Sequence, residues 1–310
     1  MITSVFSKSR PINYILITTL LVLCFLLFQF QSNFNTISTL EIAKKIILLL
    51  LLVGSLYITN FITKKNVLSK DNSYTFLLFF VFLILFPKTL SNAALIISNL
   101  FVLLALRRLI SMQSLITPKE KIFDASFWIF TASLFNFWCI LFIILVFISI
   151  IFHVSRDYRN WTIPFIAFFS VLVISVFSAL IYDPTLITTY LSQIVLDFDL
   201  KYIETIFQNI ALFIYITTAL VAFVSMLFIL PSKLSNLQPS YRKMIFAFII
   251  GLIIFFISPK KDNSFLIYTF VPVSIMLTNY LETINKYWIK ESILAIILTA
   301  SIITFVLQLL

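Results

Sequence analysis

The chain has 310 residues, of which 61% are hydrophobic and only 11% charged, and it carries a formal net charge of +10. Soluble domains hold about 25% charged residues, and one of this length could not bury so much apolar surface, whereas a bilayer removes the need to bury it. The composition excludes an ordinary soluble enzyme and predicts an all-α polytopic transmembrane bundle, a single integral domain over residues 1–310 with no soluble domain.

A helix crosses hydrocarbon with about 20 apolar residues. Tyr14–Phe30 is the first such run, and Met1–Asn13 before it is too polar for a signal peptide, with no small-residue cleavage site following. Ile46–Ile62 comes next and ends at Lys64, Lys65 and Lys70. Tyr74–Phe86, stopped by Pro87, and Ala93–Leu106, stopped by Arg107-Arg108, are short and form a pair bent at Pro87-Lys88. Ile122–Phe152 is too long for one crossing and slightly short for two, so it is expected to be a hairpin of short helices turning near Asn136. Trp161–Ile181, Ile203–Leu230, Met244–Ile257, Phe265–Leu281 and Ile293–Leu310 complete an expected set of eleven helices.

Lys and Arg concentrate on the cytoplasmic side of membrane proteins, and the hairpin reading obeys that bias. It leaves only Lys44, Lys45, Lys88, Lys201, Lys260 and Lys261 outside, six of the 22 basic residues. A single crossing there would split the charges almost evenly. The expected topology has its amino terminus inside and its carboxyl terminus outside, in a bacterial inner membrane. Asp183–Tyr202, on the outer side, spaces its apolar residues as a helix with one greasy face would, and is expected to lie along the interface.

The polar inventory is small. Gly54 and Gly251 are the only glycines, which excludes a Gly-rich phosphate cradle and a GxxxG packing face. His153 is the only histidine, too few for membrane iron or zinc enzymes that need several imidazole ligands. Cys24 and Cys139 have no CxxC partner, so neither a metal site nor a disulfide framework is expected. No cofactor is called for. The charge of +10 has no basic soluble domain to hold it, so nucleic acid is not an expected partner.

The best-defined polar cluster is His153-Val154-Ser155-Arg156-Asp157-Tyr158-Arg159-Asn160-Trp161. Arg156, Arg159 and His153 are candidates for gripping a phosphate or pyrophosphate, because guanidinium groups bind such oxygens in bidentate fashion. The plainer alternative is a cytoplasmic turn with positive-inside arginines and an interfacial tryptophan. An acidic set, Asp183, Asp197, Asp199 and Glu204 with Glu41 in the first outer loop, supplies Glu41 and Asp183 as candidates for a catalytic base. Ordinary capping is the alternative role, Asp183 starting a helix.

Four segments carry a resemblance: Phe6-Ser7-Lys8-Ser9-Arg10-Pro11-Ile12-Asn13, Leu90-Ser91-Asn92-Ala93-Ala94, Ile122-Phe123-Asp124-Ala125-Ser126-Phe127 and Arg156-Asp157-Tyr158-Arg159-Asn160-Trp161-Thr162-Ile163-Pro164. Together they resemble an uncharacterised family of multi-pass inner-membrane proteins from flavobacterial-type bacteria. A fainter likeness is to GT-C-type glycosyltransferases and lipid-linked glycan polymerases, which have an inside amino terminus, paired short helices and an outer amphipathic helix. The first outer loop, Gln31–Lys45, holds Glu41 but lacks the paired acidic motif of that group. The resemblance implies cell-envelope biogenesis, with a polyprenyl-phosphate-linked glycan or other lipid as substrate and membrane lipids or other membrane proteins as partners. A non-catalytic scaffold of an envelope complex is the alternative, and a lipid or small-molecule transporter the second alternative.

Overall fold

The computed structural model describes residues 2–30, 39–183, 185–192, 194–195, 205–259 and 262–309. In chain order the α-helices are α1 (Ile2–Phe6), α2 (Pro11–Phe30), α3 (Thr39–Lys65), α4 (Tyr74–Leu85), α5 (Ala93–Ser111), α6 (Pro118–Phe135) and α7 (Ile143–His153). They continue with α8 (Arg159–Tyr182), α9 (Thr185–Leu191), α10 (Ile206–Ile229), α11 (Gln238–Ile257), α12 (Ile267–Thr283) and α13 (Tyr287–Leu309). There is no strand among the described residues. Eight helices are long and apolar enough to cross a membrane, and the Tyr74–Leu85 and Phe137–His153 segments are shorter apolar helices. The expected count of eleven is therefore not met. The short helix α1 is additional, α9 falls within the expected outer amphipathic segment, and α6 carries Lys119, Glu120, Lys121 and Asp124 in its first two turns.

Burial and apolarity run in opposite directions. When the eight long helices are ranked from least to most buried, mean hydropathy never rises. Arg159–Tyr182, only 17% buried, is the most apolar, and Asn263–Thr283, 89% buried, is the least. A soluble protein shows the reverse, because its exposed faces must be polar.

The chain divides into two compact units, one of Met1–Ile96, Ile203–Lys233 and Asp262–Leu310, the other of Ile97–Tyr202 and Leu234–Lys261. In the first unit α4 is the centre, and all twelve of its residues are buried. It is apolar on every side because it has no exposed face, and α2, α3, α12 and α13 pack around it. Proline at 87 ends it by disfavouring the α conformation at the preceding residue; Phe86 has φ −124° and ψ 78°. At about 1.5 Å per residue α4 spans about 18 Å, short of the roughly 30 Å of hydrocarbon; the 3-10 turn Pro87–Leu90 extends it.

Aromatic rings weld α4 to α10 and α12. Phe270 packs on Phe79, Phe82, Phe86 and Tyr215, with ring centroids 5.5 to 6.5 Å apart. Buried hydroxyls meet in pairs, Thr75 with Thr278 at 3.0 Å and Tyr215 with Thr269 at 2.6 Å. One end of this unit gathers the amino terminus and the loops expected inside. Thr3 binds Glu291, the Tyr74 hydroxyl reaches Thr3 O at 3.2 Å, Glu282 accepts from Lys70 N and Asn72 Nδ2, and Lys233 Nζ donates to Asn279 Oδ1 at 2.7 Å. The other end joins Asn263 to Gln208 O and Gln308 to Leu85 O.

The second unit contains the expected hairpin. Helix α6 ends where Asn136 turns extended (φ −141°, ψ 107°), a 3-10 segment Phe137–Phe142 follows, and α7 returns against α6. The expected outer amphipathic helix is much shorter than its pattern. Helix α9 stops at Leu191, Ile194 and Val195 are not helical, and Asp197, Asp199, Lys201 and Glu204 lie outside the described residues. Asp183 does start α9, its carboxylate accepting the Thr185 N–H at 2.9 Å. Apolar spacing could not set that helix end, because no helix-stopping residue marks it in the sequence.

Candidate functional site: a cationic cleft at the α7–α8 junction

Helix α7 ends at His153, whose Nδ1 lies 3.2 Å from Ser149 O. A carbonyl oxygen can only accept, so Nδ1 carries a proton in this contact. The chain then reverses through Val154–Tyr158 into α8. Asn160 holds the reversal, donating from Nδ2 to Val154 O at 2.9 Å, and Asp157 Oδ1 accepts the Arg159 N–H at 3.1 Å. Trp161 stacks on Phe147 with ring centroids 6.1 Å apart.

This reversal and the first turn of α6 enclose a cleft of about 460 Å3 whose polar lining includes Lys119, His153, Ser155, Arg156, Asp157 and Asn160. Lys119 Nζ pairs with Asp157 Oδ2 at 3.1 Å, and this contact foremost holds the Asp157 carboxyl below its usual value. Asn160 is buried, and its Oδ1 has no hydrogen-bond partner. Buried acceptors are nearly always satisfied, so an orphan beside a cleft is a place where a ligand's donor would gain most.

Two buried lysines of the same unit stand around the carboxyl-terminal end of α5. Lys243 is fully buried and donates to Leu109 O at 2.5 Å; Lys121 donates to Ser111 O at 2.7 Å and Ser114 Oγ at 2.8 Å. Both cations thus cap carbonyls that a helix end leaves unsatisfied and complement its dipole. They also act electrostatically on His153. Arg242 lies over the Phe152 ring, 6.0 Å from its centroid. The arrangement favours an anion over a cation, since among the described residues Asp157 is the only carboxylate lining the cleft and it is already paired.

The structure brings together some of the residues singled out from sequence and separates others. His153 and Arg156 line the cleft; Arg159 does not, and its guanidinium lies 5.9 Å from the Tyr158 ring centroid. Lys119 takes the second cationic place, although it stands 37 positions earlier in the chain than Arg156. Sequence reading missed Lys119, Lys121 and Lys243 because each looked like one more positive-inside loop residue. The Pro118 helix start beside Lys119 was the one available signal that this loop is structured.

Glu41 lies in the first turn of α3, in the first unit. Asp183 caps the far end of α8, a 24-residue helix, so about 35 Å of helix separates it from the cleft. Its carboxyl is lowered by the Thr185 backbone hydrogen bond, as a capping group's would be. Neither Cys24 nor Cys139 is in a disulfide, and no group of three His, Cys, Asp or Glu side chains that could hold a metal occurs among the described residues.

No curated protein and no solved structure matches this chain. The model of a family of unknown function, DUF6427, matches residues 1–310, and the chain belongs to that family.

Proposed function

We propose that this is an integral inner-membrane protein of cell-envelope biogenesis, its amino terminus in the cytoplasm, that holds the phosphorylated headgroup of a polyprenyl-phosphate-linked or other lipid in the α7–α8 cleft. The observation that carries the reading is one cleft lined by Lys119, His153 and Arg156; the orphaned Asn160 Oδ1 beside them would take a hydroxyl donor of the same headgroup, since ionised phosphate oxygens only accept. Arg156 supplies a planar fork for phosphate oxygens and Lys119 a point charge. The two buried lysines raise the local positive potential without touching the ligand. Membrane placement is supported by the inverse order of burial and hydropathy among the long helices.

The test is binding of a short-chain polyprenyl phosphate to the purified protein in detergent, with inorganic phosphate as the second arm. Losing the Arg156 contacts removes charge-assisted hydrogen bonds worth about 1.5–3 kcal/mol, so Arg156→Ala is expected to weaken lipid phosphate binding about tenfold or more. Arg159→Ala leaves it within about twofold, since its side chain is not on the cleft. Equal losses in both variants, or none in Arg156→Ala, contradict the site. Binding of inorganic phosphate as tight as that of the lipid contradicts the lipid. Cysteines at Ser155 and Asp183 are expected to label from opposite faces of the membrane; labelling from one face contradicts the topology.

A further inference from the structure

At the other end of the second unit, α6 and α8 separate. Their packing is tight around Phe130, Ala167 and Val171, and beyond Val171 it opens into a hollow of about 300 Å3 and a larger one of about 570 Å3. The two share Leu134, Leu172, Ser175 and Tyr190, so they adjoin along these side chains. Helix α9 covers part of it with Ile187, Tyr190 and Leu191, which stand one helical turn apart on one face. The greasy face read from the sequence is thus turned, at these residues, onto a hollow within its own unit.

The polar atoms of the lining are already used. Ser175 Oγ donates to Leu172 O at 3.0 Å, Ser178 Oγ to Ser175 O at 2.8 Å and Ser133 Oγ to Phe130 O at 2.7 Å. Tyr190 is hydrogen-bonded to Ser133. A polar ligand would find few free partners here, and water gains too few hydrogen bonds to occupy such a space well. The lip is formed by Leu172, Val176 and Tyr182, all exposed, on the least buried and most apolar of the long helices. Whatever surrounds that helix enters the hollow, and an exposed surface of such apolarity calls for hydrocarbon.

We propose that this hollow is a lateral binding site for one acyl chain of a membrane phospholipid, in the leaflet at the Asp183 end of α8. It is separate from the headgroup cleft, which lies at the opposite end of the same helix, and it does not rest on that cleft's function. The chain inserts between α6 and α8 beneath α9, displacing neither a hydrogen bond nor a charge. Its volume is within the roughly 300–1,000 Å3 usual for small-ligand pockets.

The test uses the wild-type protein reconstituted in phosphatidylcholine vesicles doped with a phosphatidylcholine carrying a photoactivatable group on one acyl chain. Cross-linked peptides are mapped by mass spectrometry. Labelling of the segment from Leu172 to Tyr182 and of α9 is expected to exceed that of Phe165 and Phe169, on the exposed face nearer the start of α8, by about fivefold, the excess that a site worth about 1 kcal/mol produces. Ser175→Trp, which fills the hollow, is expected to bring this ratio back to about one. As a control on folding, Ser175→Trp is expected to keep the thermal unfolding midpoint of the wild-type protein in detergent to within a few degrees. Uniform labelling along α8 in the wild-type protein overturns the site, as does an excess that survives Ser175→Trp. Disulfide cross-linking of Tyr182→Cys to a second copy in the same vesicles overturns it too, assigning the hollow to self-association.

Discussion

In the first unit the buried polar groups around α4 and α12 close on one another, Tyr215 on Thr269 and Thr75 on Thr278, inside a stack of four phenylalanines. In the second unit Asn160 Oδ1 and Trp138 Nε1 are buried without a partner, and the cleft and both hollows open among its helices. Lipid tails are as apolar as leucine, so helix association in a membrane is governed by packing and hydrogen bonding, with little help from the hydrophobic effect. A unit whose described buried polar groups close on one another in this way is suited to be a scaffold. One that leaves space and acceptors unfilled keeps capacity for something else, and the proposed ligands belong there.

The contrast can be broken at several points. The largest effect is expected at Phe270, which touches four aromatic rings of the scaffold. Phe270→Ala is expected to destabilise the protein by about 3 kcal/mol, the low end for core phenylalanine truncation because the transfer from water is absent in lipid. Thermal unfolding in detergent measures it, and headgroup affinity per folded molecule is expected to stay unchanged. A loss of affinity in the folded fraction would show that the two units do not divide the work in this way.

A smaller effect is expected at Lys243. Lys243→Met keeps the volume but leaves Leu109 O buried and unsatisfied, at a cost of about 2 kcal/mol. The same variant lowers the positive potential near His153, so affinity for lipid phosphate falls as well. Unchanged stability would mean that this lysine is not a capping group.

The smallest effect concerns Asp157, which competes with any phosphate for Lys119. Asp157→Asn is expected to tighten phosphate binding a few-fold, since it frees Lys119 for the ligand and removes a negative charge beside it. The pH dependence follows from the sign of the shift. Asp157 is held below its ordinary value by Lys119, so the pair is intact above the ordinary carboxylate range. It is lost only as pH falls through the depressed folded value. Above the second ionisation of a phosphate monoester, at about pH 6, the gain from Asp157→Asn is therefore expected to be the same at pH 7.5 and pH 8.5; isothermal titration at the two pH values checks it.

Much of the helix plan was legible in the sequence because apolar length and punctuating residues suffice for it. Pro87 and Asn136 stop α4 and α6 where the sequence reading put the breaks, and the length of Ile122–Phe152 required a reversal. What the apolar runs could not reveal is which of them faces lipid. Helices α4 and α8 read alike, yet one is wholly buried and the other is the most exposed, since a protein core and a bilayer select the same side chains. The near-absence of glycine also hid turns. Val67, Leu115 and Thr117 hold positive φ, where glycine is the usual occupant, and nothing in their identity announces it. Half of the cleft at the α7–α8 junction was legible, because His153 and Arg156 are near in sequence; Lys119 arrives from another helix, and only the tertiary fold brings it in.

The central claim is that the exposed apolar surface of α8 is bathed in hydrocarbon while its amino-terminal end opens to water. Spin labels at Val173 and Ser155 of the reconstituted protein, read for collision with molecular oxygen and with a water-soluble nickel chelate, test it most directly. Val173 is expected to meet oxygen and be shielded from nickel, and Ser155 to show the opposite. Nickel access at Val173 equal to that at Ser155 would contradict the account.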